Sequence, residues 1–158
     1  VSKEDLLSLQ KNYITCDGLW FLAVEEEYGL EAAIKLDMKV QETLTPILAK
    51  RIARVFGITE RGIPGLVKAL RLDPVWGDYY KHEWTVLTEK RAVLRFYGCP
   101  TQDARIRDKR PEFPCKPVGI VWLEGLLKFF LPEGKGRCVF CPPDPHPADA
   151  WCEWEIEV

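Results

Sequence analysis

Five of the six cysteines sit where side chains from different elements can meet. Cys138 and Cys141 form a C-x-x-C pair in "GRCVFCPPDP". Cys152 opens the closing segment "CEWEIEV", Cys99 follows a strand pattern in "YGCP", and Cys115 precedes a helix pattern in "FPCKP". Thiolates at C-x-x-C spacing grip one tetrahedral metal. A structural zinc takes four such ligands and a catalytic zinc three plus water. Four thiolates suit zinc or iron. We therefore expect Cys99, Cys115 and Cys152, with one of Cys138 and Cys141, to converge on a single site rather than to pair as disulfides. In a regular hairpin Cys138 and Cys141 point to opposite faces, so only one of them can share a face with Cys152. No βαβ context surrounds the C-x-x-C, which argues against thioredoxin-type redox chemistry. Cys16 stands alone and reads as a buried core thiol.

Other chemistry is sparser. Glu25, Glu26 and Glu27 crowd the end of a helix that is apolar elsewhere, against the helix dipole. One of them is expected to find a partner. Glu25 and Glu26 are the candidate general bases or metal ligands. His82 and His146 read as surface histidines. Arg91 and Arg95 share a strand face, and Arg105, Arg107, Lys109 and Arg110 follow. Together they form a solvated basic surface, or a grip on a substrate carboxylate or phosphate. Trp20, Trp84, Trp122 and Trp154 fall on apolar faces and read as core, or as the wall of an aromatic pocket. Trp20, Glu25, Arg95 and Trp122 are the candidate ligand-binding residues. No G-x-S-x-G, P-loop, G-x-G-x-x-G or H-E-x-x-H occurs in the chain.

These residues must be positioned by two halves of different periodicity. Ser2 and Asp5 form a capping-box pattern before Leu6 and Leu9. Leu19 to Val24 are apolar on every side, which predicts a buried helix closed by Gly29. A long helix follows from about Leu30 to Phe56. Ala33, Leu36, Val40, Leu44, Ile47 and Val55 share one face of it, and Pro46 should kink or split it. A short helix covers Pro64 to Leu70. Near Tyr79 the period changes from about 3.6 to two. "HEWTVLTEKRAVLRFYG" reads as a hairpin, "CPTQDARIRDKR" as a basic turn or helix, "PVGIVWLEGLLKFF" as an apolar helix, and the last 23 residues as a second hairpin. In its final strand Cys152, Trp154 and Ile156 face one way and Glu153, Glu155 and Glu157 the other. The expectation is one α+β domain over 1–158, with helices at about 3–72 and two hairpins with an intervening helix at about 79–158. The helical half packs on one face of a roughly four-stranded antiparallel sheet. Trp84, Leu94, Phe96, Trp154 and Ile156 should share the covered face, under the helix at 118–130 and the long helix.

Composition narrows the function classes. The chain has 158 residues, 29% of them charged and 47% hydrophobic, with a formal net charge of −2. That charge gives no electrostatic reason to expect nucleic acid or an anionic membrane as partner. No apolar run reaches bilayer length, and "VSKEDLLSLQ" lacks the apolar core of a signal peptide. The expected place is the cytoplasm, where thiols stay reduced.

"GLWFLAVEEEYGLEAAIKLD", then "RFYGCP", a further cysteine about sixteen residues on, and the closing "CEWEIEV" resemble an uncharacterised bacterial and archaeal family. That family is similar to the L-2-amino-thiazoline-4-carboxylic acid hydrolases, and in layout to the 4-vinyl reductase ligand-binding domains. The resemblance implies a helical half on an antiparallel sheet, a pocket for a small organic molecule, and cysteines equivalent to Cys99, Cys115 and Cys152. The C-x-x-C of Cys138 and Cys141 and the proline-rich loop after it depart from the family pattern.

Three functions follow as expectations. The first is a small-molecule-binding domain with a cysteine-rich, metal-binding site holding zinc or iron. The second is a hydrolase of a C=N or amide-like bond, with metal-activated water, Glu25 or Glu26 as base and an arginine on the substrate carboxylate. The third is a non-catalytic module whose helices form a homodimer face.

Overall fold

Ser2 starts the first helix as the sequence suggests. Its Oγ accepts from the Asp5 N–H at 3.1 Å, and the Asp5 carboxylate accepts from the Ser2 N–H at 2.9 Å. The computed structural model describes residues 2–73, 76–77 and 79–158. Helix α1 spans Lys3–Tyr28 and α2 spans Leu30–Val55. Between them Gly29 adopts φ 86°, a left-handed conformation that glycine reaches without a Cβ penalty. Helix α3 (Gly62–Leu72) leads to strands β1 (Lys81–Leu87) and β2 (Arg91–Gly98). Helices α4 (Pro100–Arg107) and α5 (Lys116–Phe130) precede strands β3 (Lys135–Phe140) and β4 (Cys152–Glu157). The strands form one antiparallel sheet in the order β1-β2-β4-β3, so the fold is α+β.

The covered face of the sheet carries Ala92, Leu94, Phe96, Trp154 and Ile156, all buried. Trp84 pairs with Leu94 across β1 and β2 and packs at the core edge. Helix α5 lies on this face. A Cβ on Gly119 would come within 2.5 Å of the Trp154 ring, and one on Gly136 within 2.5 Å of Leu123. Helix α3 closes the core with Ile63, Leu66 and Leu70.

Of the kink or split expected at Pro46, the split does not occur: the long helix is continuous from Leu30 to Val55. It differs from the sequence expectation in two ways. It packs along α5 rather than on the sheet. Its buried residues are Ala33, Thr45, Ala49 and Ala53; of the expected face Ala33 is buried, whereas Leu36, Val40, Ile47 and Val55 are exposed. The cause is the closeness of the α2–α5 approach. A Cβ on Gly125 would stand 2.8 Å from Thr45 Cβ, so only small residues fit the contact.

Helix α1 is not buried as its apolar run predicted. It packs along α2, and none of its described side chains is fully buried. Leu19 and Trp20 are 62% and 70% exposed. Its inward contacts are few and specific: Phe21 meets the Phe113 ring edge-on at 4.9 Å, and Glu25 meets Arg105.

The outer face of the sheet is an ionic layer. Glu153 and Glu155 on β4 are buried beneath arginines from the flanking strands. Arg95 holds Glu153 at 2.5 Å, and Arg91 and Arg137 both pair with Glu155. Alternation along β4 thus puts Trp154 and Ile156 in an apolar core and the carboxylates under guanidinium planes.

Candidate functional site

Cys141 is the centre of a thiol cluster at the end of the sheet where β3, β4 and α5 meet. Its side chain is fully buried, and its Sγ lies 3.2 Å from Cys115 Sγ. Cys138 and Cys152 are near enough to Cys141 to interact with its thiol electrostatically. Four thiols therefore come from three places: the strand and turn of a C-x-x-C, the first residue of β4, and the N-cap of α5. All six cysteines are free thiols.

The C-x-x-C contributes both of its sulfurs, where regular alternation allowed one. The ladder between β3 and β4 slips between Cys138 and Phe140: Cys138 pairs with Trp154, and Phe140 already pairs with Glu153. That irregularity removes the strict two-residue period at this point. Cys141 then lies just past the strand, and its carbonyl accepts the Asp144 N–H at 2.9 Å in a turn.

Cys115 is held from two sides. The Lys116 N–H donates to the Pro142 carbonyl at 3.0 Å, tying the helix start to the loop after Cys141. Gln102 is buried on α4 and brackets Phe113, donating to its carbonyl and accepting its N–H, both at 2.8 Å. The same amide nitrogen reaches Cys115 Sγ at 3.7 Å. Sequence reasoning missed Gln102 and Lys116. The only available signal was a glutamine among charged residues and a lysine directly after a cysteine.

The electrostatics divide the thiols. Its interactions with Cys115, Cys138 and Cys152, together with burial, hold the Cys141 proton far above the ordinary thiol range. Cys115 and Cys138 are lowered by their interactions with Cys141, Cys138 further by the Lys116 charge. Lys116 itself pairs with Asp144 at 2.5 Å. The N-terminal end of α5 adds positive potential beside Cys115. Cys99, a fifth thiol, interacts electrostatically with Cys115 and Cys152. Burial pushes it up to about 12, with the Gln102 and Thr101 N–H groups acting in the other direction.

The remaining candidates are placed elsewhere. Glu25 is spent on a bidentate pair with Arg105 at 2.7 and 3.1 Å, which holds its carboxyl below the ordinary range. Glu26 pairs with Arg110 at 2.9 Å. Arg95 belongs to the ionic outer face, its guanidinium 5.7 Å from the centre of the Phe140 ring. Trp122 lies in the core against Trp76, ring centroids 4.4 Å apart. Trp20 stands in solvent on α1 with Cys16, which is exposed and not the core thiol expected. His82 bonds the Tyr80 carbonyl, and His146 bonds the Pro147 and Ala150 carbonyls and Glu112.

A family model matches the whole chain, residues 1–158. The chain belongs to DUF6125, a family of unknown function. No curated protein matches it. Membership brings no activity to the site, so the chemistry of its thiols has to speak for it. Among the described residues, no group of three or more His, Cys, Asp or Glu side chains is placed to hold a metal ion. One pair of sulfurs is closer than such a set requires. A tetrahedron with Zn–S bonds of about 2.3 Å has edges of about 3.8 Å, and Cys115 and Cys141 stand at 3.2 Å. Among the described residues, no helix is long and apolar enough to cross a membrane.

Proposed function

We propose that this chain is a non-catalytic metal-thiolate domain in which Cys115, Cys138, Cys141 and Cys152 hold one zinc ion. The observation that carries the reading is the 3.2 Å approach of the Cys115 and Cys141 sulfurs at the end of the sheet where Cys138 on β3 and Cys152 on β4 also lie. Four soft donors suit zinc, and a full thiolate set leaves no open position for water, which marks a structural site rather than a catalytic one. Loading needs the Cys115 and Cys141 sulfurs to part by about half an ångström, toward the edge length of the ZnS4 tetrahedron. Lys116 and the α5 N-terminus offset part of the negative charge that four thiolates bring. The ion would fasten the β3–β4 hairpin to the start of α5, and Cys99 would back the site as a neutral thiol.

The hydrolase reading draws no support from the geometry. Its proposed bases Glu25 and Glu26 and the arginines beside them are engaged with one another. Cobalt(II) titration of the reduced protein tests the four-thiolate set. The thiolate charge-transfer and tetrahedral d–d absorption should appear in the wild type and in Cys16→Ser, and be lost in Cys141→Ser. Bands of equal strength in Cys141→Ser would refute the assignment.

A further inference from the structure

Helices α1 and α2 each carry a second apolar stripe, unused by the fold. On α1 it is Leu6, Leu9, Tyr13, Cys16, Trp20 and Ala23, spaced alternately three and four residues apart. Every one of these is exposed. On α2 the stripe is Leu36, Val40, Thr43 and Ile47, also exposed and also at coiled-coil spacing. A 3.5-residue period is what a helix shows to another helix, not to solvent.

Both stripes face the same way. At about 3.6 residues per turn, the α2 stripe lies opposite Thr45, Ala49 and Ala53, the residues against α5. The α1 stripe is turned about a quarter circle or more from Ile14, Phe21 and Glu25 on its inward side, in the sense that brings it level with the α2 stripe. The antiparallel pair thus presents one flat, two-helix apolar face on the side away from the sheet.

Area and charge indicate what covers it. Leu6, Leu9, Tyr13, Trp20, Leu36, Val40 and Ile47 are between 45% and 70% exposed. At roughly 100 Å² each they offer about 700 Å² per copy, close to the roughly 800 Å² per partner of a stable interface. The α1 stripe runs on into exposed Glu27 at one end of the hairpin, and the α2 stripe into exposed Lys50 and Arg54 at the other. The face therefore complements its own image when turned end for end, so that the acidic end of each hairpin meets the basic end of its mate.

We infer that the α1–α2 hairpin is a homodimer interface, closed with a second copy as a four-helix bundle about a two-fold axis perpendicular to the helices. Each large residue then finds a smaller or apolar one in the other copy, with Trp20 near Leu9 and Leu6 near Ala23. The metal reading plays no part in this inference.

Sedimentation equilibrium of the reduced chain at tens of micromolar tests it. The wild type should show twice the mass of one chain. Trp20→Glu with Ile47→Glu should give one chain mass with unchanged far-ultraviolet circular dichroism. Lys50→Glu with Arg54→Glu should weaken the dimer at least tenfold, and adding Glu27→Lys should restore part of the loss. A wild type that stays at one chain mass overturns the interface and leaves the face to a different protein. Dimers unaffected by the Trp20 and Ile47 changes place the contact elsewhere. Loss of the dimer without rescue by Glu27→Lys overturns the end-for-end arrangement.

Discussion

Cys115 and Cys141 are 26 residues apart in the chain and 3.2 Å apart at their sulfurs. The helix start and the turn after a strand are brought together by the backbone bond from Lys116 to Pro142. The separation is far longer than a disulfide of about 2.05 Å, and two more thiols interact electrostatically with Cys141. The geometry is that of sulfurs gathered by the fold rather than joined.

The first expectation concerns the core that positions this cluster. Trp154 is 4% exposed beneath α5, so Trp154→Ala should cost about 3–5 kcal/mol in urea unfolding. Gly125→Ala separates two effects. Helix propensity favours alanine by about 1 kcal/mol, whereas overpacking costs about 1–3 kcal/mol. The obstructing atom is Thr45 Cβ at 2.8 Å, which cannot swing aside. Overpacking should win, and a stabilised Gly125→Ala would show that α2 and α5 are less closely apposed.

Glu25 should behave as a structural ion pair. The Arg105 side chain is 5% exposed and that of Glu25 14%. Removing the carboxylate strands a buried guanidinium, so Glu25→Ala should cost about 3–5 kcal/mol. The Glu25 pKa is lowered by Arg105. Its contribution is therefore full above the unfolded glutamate value and is lost as the pH falls through the folded one. Acid unfolding should show that loss in the wild type and not in Glu25→Gln. A Glu25→Ala protein of wild-type stability would reject the pair as a fold determinant.

Asp37 should act in the opposite sense. Burial raises it from 3.8 to about 6, with Asp17 adding to the shift and a hydrogen bond from Gln41 opposing it. Its folded pKa stands above its unfolded one. Stability from this residue is therefore greatest below about pH 4, falls as the pH rises to about 6, and is level above that. Asp37→Asn keeps an acceptor for Gln41 and should gain about 1–2 kcal/mol at pH 7 and nothing at pH 3.5. Urea midpoints at the two pH values decide it; an equal gain at both would show that the charge is not the cause.

Much of this fold is legible residue by residue. The capping box at Ser2 and Asp5 is local chemistry. The change of period near Tyr79 separates helices from strands. Alternation in "CEWEIEV" assigns both faces of β4. What misleads is the assumption that the larger apolar stripe of a helix faces its own core. On α2 the close contact with α5 selects Thr45, Ala49 and Ala53, and Leu36, Val40 and Ile47 point away. Sequence spacing cannot tell an intramolecular stripe from an outward one. The site was legible as a set of cysteines but not in its membership. A register slip between Cys138 and Phe140 breaks the alternation that was to separate the C-x-x-C thiols, which interact with each other, and no residue in "GRCVFCPP" announces the slip. Residue type marks Trp20 and Arg95 as candidates, and type does not reveal a solvent-facing helix or a glutamate across the ladder.

The central claim is that the Cys141 cluster binds zinc. The most direct measurement is elemental analysis of the reduced protein, purified without chelator, beside Cys141→Ser and Cys16→Ser. The account predicts about one zinc per chain in the wild type and in Cys16→Ser, and less than about a tenth in Cys141→Ser, with a lower unfolding midpoint because ligand binding and folding are coupled. A wild type without metal that also takes up none from a zinc buffer, together with a Cys141→Ser protein of unchanged stability, would contradict it.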